Sequence, residues 1–87
     1  MATSERSPDG RGSRRLDDLY PGDRCLIRDI DGPPTIVRRL MELGLVPGTL
    51  VELVRVAPLG DPCELRVRGT HLSLRRSEAM HVHVEPL

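Results

Sequence analysis

Two short segments of this chain share a device that fixes much of what it can become. "LYPGDRCLI" (Leu19 to Ile27) and "LVPGTLVEL" (Leu45 to Leu53) both read L-x-P-G, with apolar residues at the third and fifth positions after the glycine. Proline followed by glycine fits the two central positions of a type II turn, where glycine accepts the positive φ needed at the second. Each turn then launches a strand of alternating apolar and polar residues. The match is too short to mark a duplication, so it reads as one turn device used twice.

The first strand runs roughly from Asp23 to Ile30, with Cys25 and Ile27 facing one way, and "DGPP" (Asp31 to Pro34) breaks it. In "TIVRRLMELG", Ile36, Leu40 and Leu43 recur at i, i+4 and i+7, flanked by Val37 and Met41. That spacing predicts a short helix whose apolar arc is roughly 160° wide, against the ~100° stripe of an ordinary surface helix. Arg38, Arg39 and Glu42 fill the other face, and Gly44 is the expected left-handed stop.

The second strand is expected over about Thr49 to Ala57. Val51 and Leu53 share one face, but Val54 and Val56 are apolar in the opposite phase, which predicts a bulge or sharp bend. "VAPLGDP" (Val56 to Pro62) follows as a stiff loop with a proline at each end of its turn. In "ELRVRGTHLSLRR", a two-residue turn at Gly69-Thr70 suits type II′ geometry. Pairing outward from it sets Arg68 against His71, Val67 against Leu72, Arg66 against Ser73 and Leu65 against Leu74. "RRSEA" reads as a helical turn, and "MHVHVEP" as a last strand with Val82 and Val84 inward and His81 and His83 outward. The expectation is a mainly β protein: a small five-stranded SH3-like barrel with a short α-helix inserted between strands 1 and 2.

Composition narrows the function. With no Trp, no Phe and a single Tyr20, the core must be aliphatic. One tyrosine cannot line a groove for proline-rich peptides or stack the bases of a single strand. Formal net charge is zero, where a nucleic-acid binder of this size would be basic. There is no apolar run of the ~20 residues that span a bilayer, and no signal peptide, so cytoplasmic location is expected. Cys25 and Cys63 are far apart and read as small apolar barrel residues in a reducing compartment. The chain holds no lysine and no phosphate-binding loop of the G-x-x-x-x-G-K-[ST] type, and its acidic residues form no catalytic grouping, so it is not expected to be an enzyme. Residues 1–15, with no large apolar side chain beyond Met1, are expected to be a disordered tail before a domain spanning 16–87.

Three motifs in order, "LMELGLVPGT" (Leu40 to Thr49), "VAPLGDP" and "LSLRRSEA" (Leu72 to Ala79), resemble the FeoA family of small cytoplasmic proteins of ferrous iron transport. The likeness extends more weakly over about Leu16 to Glu85. It implies an SH3-like barrel with an inserted helical segment and no catalytic residues. It also implies a regulatory partnership with FeoB, the membrane Fe²⁺ transporter with a cytoplasmic GTP-binding domain. The same fold occurs as the C-terminal module of iron-dependent repressors. A free-standing metal- or effector-sensing module is therefore the alternative reading.

The candidate residues follow from these readings. Val37, Leu40 and Met41 on the helix, and Leu59 and Asp61 in the stiff loop, are the expected partner-binding residues. A loop of restricted backbone loses less entropy on binding. His81 and His83 alternate on one strand and point the same way, a spacing that offers two ligands to Fe²⁺ or Zn²⁺. No cofactor is required by the reading. The free edges of so small a barrel also allow a homodimer.

Overall fold

The computed structural model of the chain describes residues 14–87. Its elements are β1 (Arg14–Arg15), a 3-10 turn (Leu16–Asp18), β2 (Arg24–Ile30), α1 (Pro34–Glu42), β3 (Leu50–Val56), β4 (Cys63–Val67), β5 (Thr70–Leu74), α2 (Arg76–Ala79) and β6 (Val82–Pro86). The strands form one antiparallel sheet in the order β1-β6-β2-β3-β4-β5. This is the SH3-like arrangement with two differences from the sequence reading. A sixth strand is present, and among the described residues the ladder does not close, because β1 and β5 each pair on one side only. Arg14 and Arg15, expected in the tail, pair with Val84 and His83; the rest of that tail, residues 1–13, lies outside the described residues.

Both proline-glycine turns form as their chemistry requires. Asp23 N–H donates to the Tyr20 carbonyl (2.9 Å) and Thr49 N–H to that of Val46 (3.1 Å), with Gly22 at φ +96° and Gly48 at +90°. The helix stop is also as read. Gly44 sits at φ +100°, its N–H donates to Met41, and Leu45 N–H reaches back to Leu40. Those two bonds are the Schellman motif, which brings the residue after the glycine against the last helical turn. Leu40 and Leu45 are accordingly both fully buried.

The phase slip in β3 is a bulge at Val54, between the pairs Leu53–Leu65 and Arg55–Glu64. A second bulge, unmarked in the sequence, lies at Arg28 in β2, between Ile27 and Asp29, and turns both Ile27 and Ile30 inward. The β4–β5 hairpin departs from its expected register by two residues. Its pairs are Val67–Thr70, Arg66–His71, Leu65–Leu72, Glu64–Ser73 and Cys63–Leu74. The turn is therefore Arg68-Gly69, at φ 53° and 78°, a type I′ geometry rather than type II′. A shift of two preserves which face each side chain takes, so the apolar alternation was satisfied either way.

One core gathers inward residues from β2 to β6, the 3-10 turn and both helices, and it contains no aromatic residue. The lone Tyr20 is 73% exposed. Both cysteines are free and buried, as expected. Burial, with Asp23 nearby, pushes the Cys25 thiol up to about 11, and burial raises Cys63 as well, so neither is a ready thiolate.

Candidate partner-binding surface

The helix face is narrower than its apolar arc suggested. Leu40 has no exposed surface and is a core residue, so it leaves the set of expected partner contacts. Its place below the Schellman turn accounts for this. Ile36, Val37 and Leu43 pack partly against the core. What remains outward is Met41, 43% exposed, with the free side of Val37. Together with Gly32, Pro34, Arg38 and Glu42 they line an open cleft of about 560 Å³.

The loop between β3 and β4 presents Leu59 outright, at 94% exposure, so this side chain does not fold back over the barrel end. Gly60 N–H donates to the Ala57 carbonyl (2.7 Å) and Ala57 N–H to that of Pro62 (3.0 Å), which closes the turn beneath it. Asp61 is exposed and also has a structural part. Its Oδ1 accepts the Arg76 N–H (3.0 Å), so it tethers the loop to the start of α2. Under the loop, Leu16, Leu19, Leu53, Val56 and Cys63 wall a pocket of about 190 Å³. Asp17 lines it too, with Oδ1 buried and without a donor among the described residues, and Oδ2 3.9 Å from Arg76 Nε.

Helix and loop border a common groove of about 400 Å³, lined by Arg39 of α1, Asp61 and Pro62 of the loop, and Arg75 and Glu78 near α2. Its fixed point is a charge pair: Arg39 Nε donates to Glu78 Oε2 at 2.7 Å. Glu78 Oε1 also accepts the Arg75 N–H (3.0 Å), reaching back over the start of its own helix. Burial alone would raise the Glu78 carboxyl; Arg39 and the Arg75 N–H outweigh it and hold it below its ordinary value.

His81 and His83 are drawn together by a carboxylate. Asp31 Oδ1 lies 3.3 Å from His81 Nδ1, and Oδ2 lies 2.6 Å from His83 Nε2. The His83 bond first, then that of His81, keeps the Asp31 carboxyl below its usual range. Gly32 makes the approach possible, since a Cβ there would stand 2.6 Å from His81 Nδ1. Among the described residues, no group of three or more His, Cys, Asp or Glu is placed to hold a metal ion.

The arrangement has apolar tips, a tethered loop and charge pairs. The FeoA domain model covers residues 14–86, almost all of the described chain.

This chain belongs to the FeoA family.

A fusion protein of Fe(2+) transport protein A and the Fe(2+) transporter FeoB from Porphyromonas gingivalis is 37% identical over 71 residues, which is 82% of this chain. The chain spans only 8% of that relative's length. The solution structure of FeoA from Chlorobium tepidum is 42% identical, covering 85% of this chain and 70% of its own, with a TM-score of 0.79. FeoA from Stenotrophomonas maltophilia, solved complexed with zinc and described as a prokaryotic SH3 domain protein, is 34% identical over 84% of this chain and 91% of its own (TM-score 0.71).

Within this FeoA domain, three residues escaped the sequence reading. Asp31 and Gly32 were read only as strand breakers. Glu78 carried a sign that was available: a glutamate three residues after a helix start is half of a capping box. Its partner Arg39 is far away in sequence, and nothing in either local pattern joins them.

Proposed function

We propose that this chain is a non-enzymatic accessory protein of ferrous iron uptake, acting in the cytoplasm by docking on the cytoplasmic part of a FeoB-type Fe²⁺ transporter. The observation that carries the reading is the fusion relative, which joins the two functions in one chain. Covalent joining raises the effective concentration of two modules that work together. The surface supports it. Leu59 and Met41 are exposed apolar side chains on a rigid frame, and anchors of this kind desolvate on binding at low entropic cost. No helix among the described residues is long and apolar enough to cross a membrane.

Docking of this kind needs no cofactor. A divalent cation at His81 and His83 would have to displace the bonds both rings make with Asp31. The test of the function is a binding titration of this chain against the isolated GTP-binding domain of the transporter, once with GDP and once with a GTP analogue. Saturable binding in either state supports the reading, and absence of binding in both removes it.

A further inference from the structure

We propose that the outer sheet face around Arg24, Arg66 and Arg68 docks an extended, acidic segment of a partner protein. This surface is distinct from Met41 and Leu59, and the inference stands whichever protein those two contact.

Strand register builds the face. Arg24 of β2 pairs with Glu52 of β3, Glu52 with Arg66 of β4, and Arg66 with His71 of β5. One polar row therefore crosses four strands. It borders a groove of about 420 Å³ that Thr49, Leu50 and Arg68 also line. Three arginines face one carboxylate there, on a chain whose formal charge is zero. Arg66 Nη1 is paired with Glu52 Oε1 at 3.2 Å. Arg24 and Arg68 have no carboxylate within 4.0 Å among the described residues.

Arg68 is the telling residue. It stands at φ 53°, in the left-handed region, at the first central position of the type I′ turn. Asn, Asp or Gly occupies that position with less strain. An arginine there keeps a guanidinium over the groove, with Nη2 3.5 Å from Thr49 Oγ1.

The spacing selects the ligand. Arg24 and Arg66 lie two strands apart, about 10 Å, and Arg66 and Arg68 two residues apart, about 7 Å. Such separations suit separate carboxylates, because alternate side chains of an extended peptide repeat at about 7 Å. A single phosphate would need the guanidiniums to converge, and Glu52 stands between Arg24 and Arg66. Leu50, 45% exposed inside the groove, offers an apolar contact for the residue between two acids.

The probe is a short peptide alternating aspartate with leucine, titrated into the full chain and followed by amide NMR. Expected are saturable shifts at Arg24, Leu50, Arg66 and Arg68, weakened by added salt and missing with an asparagine-leucine control. Arg24→Gln and Arg68→Asn are each expected to weaken binding roughly fivefold, the upper range for an exposed ion pair. Arg38→Gln, on α1, leaves binding unchanged. Arg68→Asn also raises the melting temperature, because it relieves the turn, so its weaker binding cannot come from unfolding. Equal response to the asparagine peptide, unchanged binding in both arginine variants, or shifts produced by GDP or inorganic phosphate but not by the acidic peptide would each overturn the proposal.

Discussion

Arg39 and Glu78 lie 39 positions apart in sequence and meet at 2.7 Å, and their contact ties α1 to α2. Glu78 is buried while Arg39 is half-exposed, so loss of the carboxylate is the costlier change. Glu78→Ala removes a charged acceptor from both Arg39 and the Arg75 N–H. It is expected to destabilise the fold by about 1.5–3 kcal/mol, the range for hydrogen bonds to charged groups. Urea denaturation checks this. A change below about 0.5 kcal/mol would mean the pair contributes nothing to holding the helices together.

The same carboxylate sets an acid limit on stability. Glu78 and Asp31 both titrate lower in the folded chain than in the unfolded one. Their contribution is therefore fully present above the unfolded values, about 4, and is lost as pH falls through the folded ones. Stability measured from pH 7 downward should hold to about pH 5 and then decline. The double variant Glu78→Gln, Asp31→Asn should start lower at neutral pH and lose less on acidification. Parallel acid limbs for the two proteins would show that these groups do not set the decline.

Gly32 is constrained twice, by φ +107° and by the His81 ring that leaves no room for a Cβ. Gly32→Ala is expected to destabilise by about 1–3 kcal/mol. It should also part His81 from Asp31, which the ring-proton chemical shifts of His81 report. Gly22→Ala is strained at its φ of +96° but meets no atom within 4 Å, so it should leave those histidine shifts in place.

Neighbouring residues on α1 should behave oppositely. Leu40→Ala opens a hole in the core and should cost about 2–5 kcal/mol. Met41→Ala, at an exposed position, should change stability by no more than about 0.5 kcal/mol. Thermal melts of the two variants decide it, and equal losses would place Met41 in the core.

What the sequence made legible was what repeats or alternates. The proline-glycine turns, the Gly44 stop, the Val54 slip and the aliphatic core all follow from local chemistry. What it hid was non-local or face-preserving. A two-residue register shift leaves every side chain on the same face, so only the turn residues could choose, and Arg68-Gly69 lacks the usual asparagine. Arg14 and Arg15 join β6 through backbone bonds and bury no side chain, so no apolar pattern marks them. Of the candidate site, Leu59 and Met41 are where expected, whereas Leu40 is core and Asp61 is tethered to α2. His81 and His83 do share a side, but the carboxylate that gathers them comes from a turn 50 residues earlier.

In the proposed function, exposed apolar tips on α1 and the β3–β4 loop dock on the transporter. Its most direct test is the affinity of the cytoplasmic domain of a FeoB-type transporter for the wild-type chain and for Met41→Asp and Leu59→Asp, each shown by circular dichroism to be folded. Saturable binding by the wild type and at least about tenfold weaker binding by both variants are expected, as for desolvated anchors. Equal affinity of all three chains would contradict it.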